Sequence, residues 1–531
     1  MKRLVTSVMA GLVGIHSLTV AADSRPRLLV GIIVDQLRTD YIETLQDKFG
    51  TGGFRKLIEN GVYLKDLDFK VPLPDAASAT AILQTGSYPR QNGITSTEIY
   101  NPSEKKAGSV LYDPAYIGNF TTDTYSPSAL RVTTLTDEIA LESNGKSQIH
   151  SIAPNPEEAI ILSGHAGNSA FWISDETGKW SSTTYYPSQP ATLQTKNYNT
   201  PLVSRLDTMK WVPFKDLSYY PDIASSTKKD GFKYTFPRSD KDVFKLYKNS
   251  PYVNADVTEA ATEYIRTLNL GKNNEATDVL NVAYSLAPYP AIKKGDGKFE
   301  LEDAYLRLDK DLERLLKEID AYVGLENTLV YVASTGYATE PERAASDFRL
   351  PGGTFSVKRA LSLLNSYLAA KYGNGTYVDQ FYAGHIYLDK PALEERGLDI
   401  SRVAEDARDF LVRVSGVADA YTIPDLQSPA VAQLEGHRLA NDPKTAGEIV
   451  MEFNPGWKVI DDTRYPPQTL PDITTAYLTP AIIMGTGIKP GVVEHTVDAT
   501  AIAPTVARTL RIRSPNATSS KPLLLEKTKN K

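Results

Sequence analysis

The feature that most constrains the fold is the run Arg27 to Val34, RLLVGIIV, which closes on Asp35. A continuous apolar stretch of this length fits a strand buried on both faces of a parallel sheet. Its acidic residue falls at the carboxyl end, where open α/β sheets place their sites. Comparable runs recur at Val279 to Ser285 (VLNVAYS), Leu329 to Ala333 (LVYVA) and Pro480 to Gly485 (PAIIMG). Further strands are expected around Gln148 to Ile152 and Ala159 to Leu162. Between the apolar runs the periodicity changes. Phe54 to Gly61 reads as a short amphipathic helix stopped by glycine, and LTDEIALES after Ser126 as another. The longest helix is expected over Glu302 to Tyr322, where Tyr305, Leu308, Leu312, Leu315 and Ile319 recur at three- and four-residue spacing. The alternation predicts an α/β fold, a doubly wound and largely parallel sheet flanked by helices.

Two stretches interrupt that pattern. Tyr185 to Tyr247 is rich in Tyr, Ser, Thr, Pro and Lys, and reads as a cap or irregular insertion over 185–250. A small α+β insertion is expected over 375–470. At the start, Lys2 and Arg3 precede the apolar stretch Leu4 to Val20, and Val20-Ala21-Ala22 sets small residues before Asp23. That is the pattern of a signal peptide over 1–22, ahead of one large domain at 23–531. The stretch is shorter than the roughly 20 apolar residues of a membrane span, and no later segment qualifies. The expectation is an exported chain, in a periplasm, on a cell surface or in the medium, without an integral membrane segment after cleavage. The chain has no cysteine, which excludes disulfides and thiolate-bound metals. A net charge of -6 without a basic tract argues against nucleic acid as a partner.

Several stretches, in order, carry a family resemblance. They are VGIIVDQLRTDY at Val30 to Tyr41, TGSYPRQNGI at Thr85 to Ile94, SPSALRVTTLTDE at Ser126 to Glu138 and SGHAGNSAFW at Ser163 to Trp172. After them come EDAYLRLDKDLERLL at Glu302 to Leu316, LPGGTF at Leu350 to Phe355, DATAIAPTVARTLRI at Asp498 to Ile512 and KPL at Lys521 to Leu523. Together they resemble the type I phosphodiesterase/nucleotide pyrophosphatase-like branch of the alkaline phosphatase superfamily, and within it exported bacterial phosphate-monoester hydrolases. The resemblance implies two zinc ions at the carboxyl ends of the strands, a Thr or Ser nucleophile on one of them, and about six Asp or His ligands. Zinc there neutralises charge on the transferring phosphoryl group.

Carried onto this chain, the resemblance finds one ligand, Asp35. The nucleophile position, ten residues before Gly86, is Ala76, with Ser78 and Thr80 as fallbacks in a slipped register. The second ligand pair maps to Ala287 and Ala291. The third maps to Ser334 and Thr335, with Gly336 retained, and the last histidine maps to Leu478. The Lys and Arg that hold phosphate ahead of a strand map to Asn155 and Glu157, and a phosphate-holding Asn maps to Thr97. His150, His165, His385, His437 and His495 form no close pair in sequence and read as structural or surface residues. Asp303, Asp309, Asp311, Asp461 and Asp462 read as charge on solvated faces.

These substitutions favour an exported pseudophosphatase, a non-catalytic binding or scaffold protein with an envelope protein as partner and no cofactor. Thirty tyrosines against four tryptophans suit such contacts. One alternative is a metal-dependent phosphomonoesterase or phosphodiesterase rebuilt from Asp35, Ser78, Thr80, Ser334 and Thr335. A second is an envelope glycan-binding protein. Asp35, left in an apolar pocket, is expected to be partly protonated or hydrogen-bonded to a nearby hydroxyl.

Overall fold

A computed structural model describes residues 25–220, 231–292, 297–339, 352–429 and 431–526. The signal peptide expected over 1–22 and the beginning of the LPGGTF stretch lie outside these residues. Among the described residues the central sheet has ten strands: β1 (Leu28–Asp35), β2 (Gly61–Leu64), β3 (Gly118–Asn119), β4 (Ile149–Ile152), β5 (Ser169–Ile173), β6 (Trp180–Thr183), β7 (Asp278–Ser285), β8 (Thr328–Ser334), β9 (Ala481–Gly485) and β10 (Gly491–Val493). Their spatial order is β10-β2-β9-β8-β1-β7-β4-β5-β6-β3. The five strands from β8 to β5 run parallel. β9 joins antiparallel to β8 and β2 on one side, and β6 antiparallel to β5 on the other.

β1 is buried over its whole length. Its side chains divide by the period of two that a pleated strand imposes. Leu28, Val30, Ile32 and Val34 enter the core on one face of the sheet, and Leu29 and Ile33 enter the core on the other. Six helices matter for the site: α1 (Ala76–Thr85), α2 (Leu135–Glu142), α3 (Pro156–Ser163), α4 (Tyr252–Thr267), α5 (Lys298–Tyr322) and α6 (Ile502–Leu510). Residues of α4 and α5 cover the first face, and residues of α1, α3 and α6 cover the second. On α5 the predicted stripe Tyr305, Leu308, Leu312, Leu315 and Ile319 is fully buried.

The strand expected over Ala159 to Leu162 is instead part of α3. Its apolar run, AIIL, is buried all round, so it carries no periodicity to separate helix from strand. Pro156, which fits the first turn of a helix, was the available signal. The strand that follows is β5.

The stretch 185–250 holds helices Ala191–Asn199 and Leu202–Leu206 and a pair of two-residue strands, Lys210–Trp211 with Tyr234–Thr235. It packs into the same core as α5 rather than lying over the sheet edge alone. Asp303 of α5 ties it down. This fully buried carboxylate accepts from Trp211 Nε1 at 2.6 Å, Tyr220 Oη at 2.6 Å, the Phe214 backbone N–H at 2.5 Å and Arg307 Nε at 2.7 Å. Asp309, also buried, accepts from the backbone N–H groups of Gly50 and Phe54, and Asp461 is buried against Arg464. The solvated-face reading fails for these three, because each is buried and accepts a backbone N–H from a loop: Phe214 on Asp303, Gly50 on Asp309 and Thr463 on Asp461.

Within 375–470 the strands Val378–Tyr382, His385–Leu388, Ile449–Phe453 and Val417–Thr422 form an antiparallel sheet in that order. Helices Val357–Tyr372 and Ile400–Leu411 pack on it around a core of their own.

Candidate functional site at the carboxyl ends of the central strands

Parallel pairing brings three strand ends level. Asp35 stands opposite Ser285 of β7, and Val34 opposite Ser334 of β8. The residues that leave these ends face one another at the sheet edge. The Leu286 backbone N–H donates to the Asp35 carbonyl at 2.9 Å, which sets Ala287 beside β1. Ala291 lies in the following turn, half-buried against the core. The Ser334 hydroxyl donates to the Leu37 carbonyl at 2.7 Å. Gly336 follows at φ 79°, where a Cβ would meet the Phe69 ring at 2.0 Å, so the turn admits only glycine.

Asp35 itself is bound by its neighbours. Thr335 Oγ1 donates to Asp35 Oδ1 at 2.9 Å and accepts the Gln36 backbone N–H at 2.9 Å. Gln36 Nε2 reaches Asp35 Oδ2 at 3.4 Å. Burial raises the Asp35 pKa above the ordinary carboxyl range, against hydrogen bonds from Tyr337, Thr335 and Gln36 that pull it down. The hydroxyl contact expected for Asp35 is present in Thr335.

Ala76 is the first residue of α1. The preceding Asp75 caps the helix, accepting from Ser78 N–H at 2.9 Å and Ser78 Oγ at 2.8 Å, and its other oxygen takes the Thr97 N–H at 2.6 Å. Ser78 is thereby spent in a capping box. Thr80 Oγ1 donates back to the Ala76 carbonyl at 2.6 Å. Both side chains, like Ser334 and Thr335, are buried. The hydroxyls considered for a rebuilt site therefore do not gather. Only Thr335 touches Asp35, and Ser78 and Thr80 serve their own helix.

Asn155 is the N-cap residue of α3, and Glu157 and Glu158 stand in its first turn. Asn155 and Glu157 thus open a helix, not the strand expected there. Asn155 Nδ2 donates to Glu158 Oε1 at 3.3 Å. Burial and the neighbouring Glu158 push Glu157 up to about 8, and burial and Asp35 push Glu158 up to about 7. Asp75 adds to the field on Glu157. Sequence reasoning missed Glu158 and Asp75. Their signal was local: an acidic pair after Asn155-Pro156, and Asp75 three residues before Ser78. Leu478 is half-exposed, and its carbonyl accepts the Thr39 N–H at 2.9 Å.

The histidines lie elsewhere. His165 pairs with Asp137 of α2 through Nδ1 at 2.8 Å and meets the Leu130 carbonyl through Nε2 at 3.1 Å. His437 pairs with Glu452.

Residues 29–475 match the family model described as type I phosphodiesterase / nucleotide pyrophosphatase. The chain is 28% identical to alkaline phosphatase PhoV of Synechococcus elongatus over 94% of this chain and 92% of that one. It is 27% identical to alkaline phosphatase PafA of Elizabethkingia meningoseptica over 97% of each. The fold superposes on the crystal structure of PafA with a TM-score of 0.81 at 25% identity, covering 94% of this chain and 98% of PafA. PafA has also been crystallised with a threonine, an asparagine, a lysine and an arginine replaced together.

These relatives correct one expectation. The assignment of no cofactor does not stand, because the chain lies, over nearly its whole length, among alkaline phosphatases, the branch for which the resemblance implies two zinc ions. The residues at these strand ends do not fit that pair in the implied arrangement. Asp35 is the one carboxylate at the implied positions, and both its oxygens are engaged. Among the described residues, no group of three or more His, Cys, Asp or Glu is placed to hold a metal ion. No helix among them is long and apolar enough to cross a membrane. The chain belongs to the type I phosphodiesterase / nucleotide pyrophosphatase family of the alkaline phosphatase superfamily.

Proposed function

We propose that this protein is an exported pseudophosphatase, a binding or scaffold protein that acts on an envelope protein partner. The observation that carries the reading is Ala76 at the head of α1, a side chain without oxygen where the resemblance implies the nucleophile. The hydroxyls nearest in sequence are buried and bonded to their own helix.

Spacing supports the correspondence. The replaced threonine and asparagine of PafA are 21 positions apart, as are Ala76 and Thr97. Its replaced lysine and arginine are two apart, as are Asn155 and Glu157. Where that enzyme carries two cations, this chain carries a neutral amide and a buried acid. Phosphate meets repulsion or an uncharged carboxyl there rather than a bidentate guanidinium.

A second reading, a metal-dependent phosphomonoesterase or phosphodiesterase, is favoured by the relatives, which are named as alkaline phosphatases. The two readings part on oxyanion binding. Calorimetric titration of the mature chain with inorganic phosphate in the presence of zinc is expected to give no saturable binding up to millimolar concentration. Saturable binding that depends on zinc and is abolished by chelation would favour the phosphatase reading.

A further inference from the structure

Four Asn-Gly pairs occur in the chain, at Asn60, Asn92, Asn144 and Asn374. Such a pair is reactive for a steric reason. Glycine has no Cβ, so its backbone nitrogen is free to turn toward the amide carbon of the preceding asparagine. Three of the four are fixed against that movement. Asn92 is buried, its Nδ2 donates to the Ser87 carbonyl at 2.7 Å, and its Oδ1 accepts the Ile94 N–H at 2.9 Å. The Gly93 N–H is held by the Pro89 carbonyl at 2.8 Å. The Gly145 N–H donates to the Ala140 carbonyl at 2.8 Å in the turn that ends α2. Asn60 Nδ2 donates to the Lys56 carbonyl at 2.8 Å, and Gly61 is buried in β2, paired with Met484 of β9.

The fourth pair is different. Asn374 stands between Gly373 and Gly375, in the loop that joins the helix Val357–Tyr372 to the strand Val378–Tyr382. Residues 373–376 are all exposed. Among the described residues, neither the Asn374 side chain nor the Gly375 N–H has a hydrogen-bond partner. The loop is anchored only on either side of them. Tyr377 Oη donates to the Gly373 carbonyl at 2.6 Å, and the Tyr377 N–H donates to Asn365 Oδ1 at 2.9 Å. The Arg396 guanidinium covers Gly375, where a Cβ would stand 1.9 Å from Nη2. Its Nη1 donates to Tyr377 Oη at 2.9 Å.

We propose that the fold selects Asn374 as a site of self-modification, where the side-chain amide is lost and a carboxylate takes its place. The Gly375 nitrogen attacks Asn374 Cγ. A bond forms between them as the Cγ–Nδ2 bond breaks, and the proton of the Gly375 N–H leaves with Nδ2 as ammonia. The product is a five-membered succinimide. Water then opens the ring at either carbonyl, giving aspartate or isoaspartate at 374. Water is the one co-reactant, and nothing is oxidised or reduced. Glycine on both sides of Asn374 gives the backbone the freedom that ring closure needs. Either product puts a negative charge one residue from the guanidinium that covers Gly375, and that cation favours the charged form. Isoaspartate also adds one carbon to the main chain of this loop.

The test holds the purified mature chain at pH 8, digests samples with trypsin at intervals and reads peptide masses. The peptide from Tyr372 to Arg396 has Asn374 as its only asparagine. It is expected to gain about one dalton, as the amide becomes a carboxylate, and to elute as two products, with fragmentation placing the change at 374. The gain is expected about fivefold or more faster than at Asn60, Asn92 or Asn144, each of which must first give up at least one hydrogen bond. In concentrated urea the four rates are expected to converge, because the protection of the other three is structural. Conversion of Asn374 no faster than the other three in the folded chain would overturn the proposal. So would a mass gain located at Gln380 instead, or a rate gap that persists undiminished in urea and so belongs to local sequence.

Discussion

Thr335 Oγ1 donates to Asp35 Oδ1 at 2.9 Å and, through the same oxygen, accepts the Gln36 N–H, so one hydroxyl joins the ends of β1 and β8. At the position where the resemblance implies a zinc ligand, this residue instead satisfies a buried acid and an otherwise orphaned backbone donor. Replacing Thr335 with valine keeps the shape and removes both bonds. The expected cost is about 2–4 kcal/mol of unfolding free energy, from two buried groups left unpaired. Chemical denaturation measures it. Asp35→Asn in the same background is expected to return part of the loss, because the amide carries its own donor.

Glu157 and Glu158 make stability depend on pH. Their folded-state pKa values, about 8 and about 7, lie above the ordinary glutamate value. The folded chain therefore holds protons that the unfolded chain has released. Stability from these groups is fully present below about pH 4.5 and is lost as pH rises through 7 and 8, at up to about 1.4 kcal/mol per pH unit for each group. Thermal unfolding between pH 6 and 9 is expected to show Tm falling with pH. Glu157→Gln and Glu158→Gln together are expected to flatten that dependence.

Asp303 holds the segment 211–220 to α5 through three hydrogen bonds, and Arg307, one turn along the same helix, adds a charge-assisted fourth. Asp303→Ala leaves the Trp211 indole, the Tyr220 hydroxyl and a guanidinium without their acceptor in a dry contact. The expected loss is about 3 kcal/mol or more. Limited proteolysis is expected to cut first within 205–250, while the central sheet stays protected.

The central sheet was legible because its strands are long apolar runs and its main helix has a strict period. Both signals report burial directly. α3 was not legible. Its AIIL run is buried on every side, and the choice between helix and strand rested on Pro156 alone. The acidic site was half legible. The departures from the implied pattern at Ala76 and Glu157 can be counted along the chain. The capping role of Asp75 and the influence of Asp35 on Glu158 depend on where α1 and α3 begin relative to β1. The buried anchors Asp303 and Asp309 were missed for a related reason. A charge on an amphipathic helix reads as solvated until the loop that brings backbone donors to it is known.

Restoring a single hydroxyl is not expected to restore chemistry. Ala76→Thr places an oxygen at the head of α1, yet Asn155, Glu157, Ala287 and Leu478 are unchanged. Hydrolysis of p-nitrophenyl phosphate by this variant is expected to stay at the level of the parent chain.

The most direct measurement is steady-state hydrolysis of p-nitrophenyl phosphate and bis-p-nitrophenyl phosphate by the purified mature chain, with zinc supplied and with a chelator as control. A pseudophosphatase gives no turnover above the chelated control for either ester. Zinc-dependent turnover that is lost in Asp35→Asn would contradict it and place the chain among the working phosphatases of its family.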